Sequence, residues 1–476
     1  MVFPPAASGP RLWGSPVSPA RSAAHRPRAK TAFPLPPSLR FIVGWGSAGK
    51  APARPHIRLS CRPYSVLSDD RSRSFHGCLP VASRPPMTVA FYAPQKAPDD
   101  PVPSGDRQLS RLMMAAINRI GRPTLLASHF RSFDKTGDAD RQARLAALGP
   151  RVAERLIGHL RSLPPTRRPD LWFTCAPSAR APDWLGPPVA EALGIPYVIA
   201  EAGFEPASVE GPWSLGGRQM SRALAQAGRV IRLNGGDPAQ LAPIVPDSRR
   251  LASLQPFIDT ARFNDVDADA VREAMARSHG LDPGRPWLLA VAMMRSGRKV
   301  ASYRLLGRGL RHVPGRSFHL LVAGDGPARP EVEQALSPLK PLYLGELGPQ
   351  RLVPLYAACD LLVWPALGES FGMALLEAQA AGVPVVAGQS GAASVVHDEK
   401  TGLIVPEGDA DALAEAVAFL LLNPGLRHTM GRQAAWWVQR EHSLEAAAWR
   451  LQSLLQDLAP AGDGGSSPAE AAGPAR

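Results

Sequence analysis

Cysteine is scarce in this chain, and so are long apolar runs. The 476 residues include 4 cysteines, and Cys61, Cys78, Cys175 and Cys359 show no paired spacing of the kind that holds a metal. Neither a disulfide framework nor a zinc site is indicated. No apolar run reaches the roughly 20 residues that a transmembrane helix needs. These absences favour a soluble cytoplasmic protein that makes at most peripheral contact with a membrane.

Acidic residues are rare in the first 86 positions. That segment holds 13 Lys and Arg residues, 2 acidic residues and 15 of the 51 prolines. It has no sustained hydrophobic period, so residues 1–86 are predicted to be a disordered basic extension. The remaining 390 residues carry 41 basic and 39 acidic side chains. Because the body is nearly neutral, nucleic acid is not expected as a partner.

The composition changes abruptly at Met87, where Thr88–Pro94 is typical of the first strand of an α/β domain. We favour the interpretation that residues 1–86 are an upstream reading frame joined to a true start at Met87. An Arg-rich, acid-poor transit peptide is one alternative. A basic arm that contacts a membrane or nucleic acid is another.

A glycine motif of the dinucleotide-binding type lies inside this extension, at Gly44-x-Gly46-x-x-Gly49. Such a motif needs a helix directly after it. The segment 51–55 contains two prolines and cannot supply one. The body has no such motif after a strand, which argues against a dinucleotide-dependent oxidoreductase.

From Met87 onward, strand-like and helix-like segments alternate in two series, which predicts parallel sheets covered by helices. We assign residues 87–260 to a first Rossmann-like domain and residues 261–436 to a second. Residues 254–259 are predicted to be a short strand and loop that connect them. Residues 437–458 are predicted to form a helix that returns to the first domain. Trp436 and Trp437, in the final helical stretch of about residues 426–458, are predicted to be core anchors. Residues 459–476 are predicted to be a disordered tail.

Two glutamates, Glu369 and Glu377, flank a loop that leads from the apolar run 361–365 into an Ala-rich helix. The start of a helix presents free N–H groups and partial positive charge, which suit a phosphate. Carboxylates repel a phosphate but accept hydrogen bonds from the hydroxyls of a sugar or ribose. The pattern therefore indicates a nucleotide-sugar site, the alternative being solvated charges at a helix end.

This Glu-x7-Glu pattern, with Ser370-Phe371-Gly372 after the first glutamate, resembles retaining glycosyltransferases of family 4, which have the GT-B fold. The segments 356–360, 381–387 and 400–406 fit the same family. The resemblance implies an α/β fold of two doubly wound domains that face a cleft. It also implies that Glu369 holds sugar hydroxyls, that Glu377 holds the ribose, and that the backbone amides of Phe371, Gly372 and Met373 meet the donor sugar and phosphate.

Arg295 and Lys299 follow the apolar run 287–294, and positive side chains stabilise a leaving diphosphate where no metal is bound. In the family, an Arg and a Lys at this strand end contact the diphosphate. Their spacing here is four residues, where five is common. Arg298 is an additional charge that leaves open which side chain faces the cleft. The alternative is a solvated basic loop.

Three further positions are assigned to the donor by resemblance. Gly324 lies in a loop near the nucleotide, although a plain Asp325-Gly326 turn explains it as well. Leu344 belongs to the segment that receives the base. Gly105 lies in a loop that reaches the donor phosphate from the first domain, and an equally good interpretation is that Ser104 or Asp106 caps the next helix.

The family often has a histidine at the end of a strand in the first domain, and the matching segment 172–178 has none. This departure concerns the acceptor side of the reaction. Glu201, at the end of segment 196–201, is a candidate cleft residue.

We therefore predict a cytoplasmic retaining glycosyltransferase that takes a sugar from a UDP- or GDP-sugar with no obligatory metal or cofactor. The acceptor is left open between a carbohydrate and a lipid-linked molecule. The alternatives are a sugar phosphorylase or sucrose-phosphate-type synthase on the same fold, and a non-catalytic partner subunit.

Overall fold

The computed structural model of the protein describes residues 88–102, 104–233, 241–315, 317–369 and 372–458. The predicted extension 1–86 and the predicted tail 459–476 lie outside the described residues. None of the described helices combines the length and apolar character that a bilayer crossing requires.

The first domain is built on a six-stranded parallel sheet in the order β2-β1-β3-β4-β5-β6. Helices cover both faces, so its central strands are continuous apolar runs rather than alternating ones. The strands are β1 (Thr88–Tyr92), β2 (Thr124–Ser128), β3 (Pro169–Cys175), β4 (Tyr197–Ala200), β5 (Arg229–Arg232) and β6 (Leu251–Ser253). The helices are α1 (Gly105–Arg119), α2 (Ala139–Ser162), α3 (Gly186–Leu193) and α4 (Ser214–Gln226).

The second domain repeats this plan with a parallel sheet in the order β12-β11-β10-β7-β8-β9. Its strands are β7 (Trp287–Val291), β8 (His319–Ala323), β9 (Leu342–Gly345), β10 (Leu361–Trp364), β11 (Val385–Gly388) and β12 (Gly402–Val405). Its helices are α5 (Ala268–His279), α6 (Arg298–His312), α7 (Arg329–Leu336), α8 (Pro349–Ala358), α9 (Met373–Ala380), α10 (Gln389–Ala392), α11 (Ala410–Leu422) and α12 (Pro424–Glu441). The predicted fold class is confirmed.

The chain crosses between the domains twice, and the two crossings lie side by side. The N–H of Ile258 donates to the carbonyl of His442 at 2.9 Å. The ring Nδ1 of His442 in turn lies 2.6 Å from the carbonyl oxygen of Pro256. Segment 254–259 is thus a connection, as predicted, but it contains a single bridge from Ile258 to Ser443 rather than a strand.

The C-terminal part of the chain differs from the prediction in two ways. α12 continues to Glu441, and the helix that packs on the first domain is α13 (Leu444–Gln456) instead of a continuous 437–458 helix. The prediction that Trp436 is a core anchor is wrong, because its side chain is 61% exposed. Trp437 is half-buried, and its ring lies 5.4 Å from that of His397.

Candidate active site

The carboxyl ends of β7, β10 and β11 lie side by side at one edge of the second sheet. In a parallel sheet the loops that leave these ends share one surface, which is where α/β proteins bind ligands. The loop after β7 carries Arg295 and leads into α6 with Lys299. The loop after β10 carries Glu369 and leads into α9. The fold therefore brings together residues that are 70 positions apart in sequence.

Glu369 and Lys299 are in direct contact. The Nζ of Lys299 lies 2.6 Å from Oε1 of Glu369, and the two side chains are 32% and 18% exposed. The same carboxylate oxygen accepts the indole N–H of Trp364, also at 2.6 Å. The Lys299 ammonium lies 5.4 Å from the centre of the Trp364 ring. Glu369 is therefore held by its neighbours and is not a solvated helix-end charge.

Trp364, which the sequence analysis did not assign to the site, is held in place by packing against Tyr303. Its ring packs edge-on against Tyr303 with a centroid distance of 4.9 Å. The hydroxyl of Tyr303 donates to the carbonyl of Ala292 at 2.7 Å, and burial raises the pKa of Tyr303. The indole N–H is thus aimed at Glu369 by packing in the sheet. The sequence signal that could have identified Trp364 is its position at the end of β10, directly before the loop that carries Glu369.

Arg298 and Arg295 behave differently. Arg298 is exposed, and it donates from Nη1 to the carbonyl of Gly368 at 2.9 Å in the loop of Glu369. Arg295 is exposed, and its side chain forms no ion pair with the residues that the structure describes. Arg298 therefore contacts the loop of Glu369, whereas a contact of Arg295 with diphosphate stays a prediction.

Glu377 lies in the second turn of α9, half-buried. Its Oε2 accepts the hydroxyl of Tyr356 at 2.9 Å. Burial raises the pKa of Glu377, and the hydrogen bond from Tyr356 and the charge of Arg262 oppose that shift. Within the described residues, Tyr356 is its only hydrogen-bond donor, so the carboxylate retains capacity for another one.

The start of α9 is open at the residues that the structure describes. The N–H groups in the first turn of a helix have no partner within the helix. At Gly372, where α9 begins, no side-chain hydrogen bond caps them among the described residues. The N–H of Gly372 itself donates to the carbonyl of Gly391 at 3.1 Å, and its contact with the donor stays a prediction. The N–H of Met373, which begins the helix, has no hydrogen-bond partner among the described residues, and the Met373 side chain packs against the cores of both domains. Phe371 lies outside the described residues.

Gly324 sits where the end of β8 approaches β7 and β9. Its φ is 138°, and a Cβ atom at this position would clash with the carbonyl oxygen of Ala292. Its N–H donates to the carbonyl of Gly345 at 2.7 Å. These contacts explain the glycine by packing alone, so a role in donor binding stays a prediction. Leu344, in β9, is half-buried.

The loop before α1 is confirmed as a helix cap. Ser104 accepts the backbone N–H of Arg107 at 3.2 Å, and Gly105 is the exposed first residue of α1 with open space around it. Gly105 is therefore accessible, and its contact with donor phosphate stays a prediction. Nε of Arg107 is enclosed and has no hydrogen-bond partner among the described residues.

Glu201 follows β4 with a φ of 52°, which non-glycine residues rarely adopt. Its Oε2 accepts the N–H of Leu233, at the end of β5, at 2.8 Å. The carboxylate thus ties two neighbouring strand ends together. This is a structural role that the sequence analysis did not separate from a role in the cleft.

A cavity of about 790 Å³ lies between the two domains. Its wall on the first domain includes Arg232 and Gln255, and its wall on the second includes Ser390, His397 and Trp437. Ser390 belongs to α10, which is next to the loop of Glu369, but neither Glu369 nor Lys299 lines the cavity. Across the described ranges, no group of three His, Cys, Asp or Glu side chains is arranged to hold a metal ion.

Comparison with known proteins agrees with this architecture. Residues 285–423 match the sequence model of the family described as "Glycosyl transferases group 1". The D-inositol 3-phosphate glycosyltransferase of Saccharomonospora viridis is 33% identical over 255 residues, which cover 50% of this chain and 56% of that protein. The chain spans little more than half the length of the curated relatives that it matches.

Solved structures also match this chain across both domains. Sucrose-phosphate synthase from Thermosynechococcus elongatus has a TM-score of 0.61 at 19% identity, over 78% of this chain and 99% of that one. HepE from Anabaena, solved in complex with UDP, has a TM-score of 0.58 at 15% identity, over 78% and 100%. At such identities the likeness concerns the fold. The chain has the GT-B fold of two Rossmann-like domains.

Proposed function

We propose that this chain is a cytoplasmic retaining glycosyltransferase of the GT-B type, similar to family 4, which transfers a sugar from a nucleoside diphosphate sugar. The observation that carries the proposal is the contact between Lys299 and Glu369 at 2.6 Å beside the start of α9, where no side chain of the described residues caps the helix. This edge of the sheet holds a cation and helix N–H groups for a diphosphate. It also holds two carboxylates, Glu369 and Glu377, for hydroxyl groups.

The proposed chemistry uses these groups in order. The bond between the anomeric carbon and the diphosphate oxygen breaks, while Lys299, with Arg295 and the first amides of α9, stabilises the charge that develops on the leaving group. The acceptor oxygen attacks on the same face of the sugar, and its proton goes to the leaving phosphate oxygen. Glu369 holds sugar hydroxyls through this step. No metal is obligatory in this scheme.

UDP is the nucleotide that we propose to test first, because HepE, which shares the fold, was solved with it. We place the acceptor in the cavity between the domains, because its lining residue Ser390 belongs to α10, which is next to the loop of Glu369. Its lining mixes hydroxyl, amide and aromatic side chains, which suits a carbohydrate or the carbohydrate part of a lipid-linked molecule.

The test is calorimetric titration with UDP and GDP, followed by nuclear magnetic resonance of UDP-glucose, UDP-N-acetylglucosamine and GDP-mannose incubated with the protein. Binding of one nucleotide is expected, with slow transfer of its sugar to added methanol to give the methyl glycoside with the anomeric configuration of the donor, with or without EDTA. A protein that binds neither nucleotide would contradict the proposal. A methyl glycoside of the opposite anomeric configuration would contradict the retaining mechanism.

A further inference from the structure

The loop that carries Glu369 turns at Gly368, whose φ is 58°, in the left-handed region. The backbone of this glycine is held on both sides. Its carbonyl accepts Nη1 of Arg298 at 2.9 Å, and its N–H donates to Oε1 of Glu407 at 3.2 Å. The carbonyl and the N–H of Gly368, the residue directly before Glu369, are thus each held by a charged side chain.

The second oxygen of Glu407 extends this arrangement, because it accepts the hydroxyl of Ser390. Glu407 follows β12, Ser390 follows β11, Gly368 follows β10 and Arg298 follows β7. These strands are adjacent in that order in the sheet. The contacts from Ser390 through Glu407 and Gly368 to Arg298 therefore form one polar strap across four neighbouring strand ends.

Arg298 and Lys299 are consecutive at the start of α6 but have different partners. The guanidinium of Arg298 lies flat against Gly368, where a Cβ atom would be 2.9 Å from Cδ, 3.0 Å from Nε and 3.1 Å from Cζ of the arginine. Lys299 reaches past the turn to the carboxylate of Glu369. The two side chains thus hold the backbone and the carboxylate of the same short loop.

We infer that Arg298 and Glu407 are positioning residues, which set the carboxylate of Glu369 for the donor sugar without contacting the donor. This inference rests on the proposed function. If it is correct, loss of either strap residue impairs the step that depends on the sugar. Binding of the bare nucleotide is spared, because Lys299, Glu377 and the start of α9 are unchanged.

The experiment uses the full chain with Arg298→Gln, Arg298→Lys, Glu407→Ala and Glu407→Gln. The matched control is Arg304→Gln, on the same helix, which pairs with Glu331 on the surface at 2.9 Å. Three quantities are measured for each variant. They are UDP affinity by calorimetry, kcat and KM for hydrolysis of UDP-glucose, and hydrogen exchange of residues 365–369.

We expect Arg298→Gln and Glu407→Ala to lower kcat at least tenfold and to speed exchange of residues 365–369, without weakening UDP by more than twofold relative to the wild type. Arg298→Lys, which keeps a donor for the carbonyl, and Glu407→Gln, which keeps an acceptor for the N–H, should restore most of the activity. The control should match the wild type in every measurement.

Other outcomes overturn the inference in distinguishable ways. If Arg298→Gln weakens UDP tenfold or more, Arg298 is a phosphate ligand and not a positioning residue. If exchange and kcat are unchanged in Arg298→Gln and Glu407→Ala, the strap has no role. If the wild type neither binds UDP nor hydrolyses UDP-glucose, the proposed function fails for this donor, and exchange of residues 365–369 still decides whether the strap holds the loop.

Discussion

Replacement of Glu369 by glutamine tests the ion pair at the centre of the site. The pair is half-buried, so it lies between exposed pairs, which contribute about 0.2–1 kcal/mol, and buried ones, where loss of a partner costs about 3–5 kcal/mol. We take about 1 kcal/mol as the energy with which Glu369 holds Lys299. A diphosphate must compete with the carboxylate for this lysine. Glu369→Gln removes the competitor, and since about 1.4 kcal/mol corresponds to tenfold, UDP should bind about fivefold more tightly.

The turnover rate of Glu369→Gln should fall, although its affinity for UDP should rise. A neutral amide is a weaker acceptor for sugar hydroxyls than a carboxylate, so hydrolysis of UDP-glucose should fall more than tenfold. Oε1 of the glutamine still accepts the Trp364 indole, which keeps the fold intact. The assay is calorimetry with UDP in low and high salt, because the gain in affinity should shrink as salt screens the charges.

The control for this prediction is Glu331→Gln, which removes the same charge from the surface of the same domain, where Glu331 pairs with Arg304. It should leave UDP affinity unchanged. The reasoning is refuted if Glu369→Gln binds UDP no more tightly than Glu331→Gln does. Weaker binding by Glu369→Gln would mean that Glu369 supports the nucleotide or the position of α9.

Three further outcomes are expected. Glu377→Gln should weaken UDP by roughly 1.5–3 kcal/mol if a hydrogen bond to a charged carboxylate is lost, and wild-type affinity in calorimetry would exclude the ribose role. Burial raises the pKa of Glu377, so the folded state binds its proton more readily than the unfolded chain does. The stability of the wild type without ligand should therefore fall as pH rises from the ordinary glutamate pKa through the raised one. The Tm of Glu377→Gln relative to that of the wild type should increase from pH 4 to pH 7, and a constant difference would contradict this. Gly324→Ala should lower the free energy of unfolding by more than about 1 kcal/mol, whereas the control Gly158→Ala, in α2 with open space around it, should not lower it; equal effects in urea denaturation would count against the packing argument.

The sequence predicted the elements whose signals are local. α1 and α2 begin after Ser104 and Asp138, whose side chains accept backbone N–H groups in the first turns, and both helices have one apolar face. β5 and β6 carry no such local signal. β5 has four residues with arginines at both ends, and β6 has three, so each is too short to show a strand pattern. Both are strands because they pair at the edge of an existing sheet.

In the candidate site, too, some residues could be predicted from local sequence signals and others could not. Glu369 and Lys299 could be placed near each other because both follow strands that a parallel sheet brings to one edge. The partners of Gly368 could not be found in this way. Glu407 lies 39 residues further along the chain and Arg298 lies 70 residues before, and either could have been a solvated surface charge. Trp436 failed for a related reason, because periodicity alone does not show which face of α12 is covered.

The return of α13 to the first domain has a consequence for synthesis of the chain. Ala447, Leu451 and Leu455 belong to the same core as Val89 and Phe91 of β1. Contacts between α1 and α13, such as the pair of Arg119 with Glu445, join residues 326 positions apart. The first domain emerges from the ribosome first, but α13, which covers one side of its core, is made only near the end of the described residues. The second domain, which has its own core between residues 258 and 438, can complete it earlier, so on the ribosome the domains should finish folding in the reverse of their order in the chain.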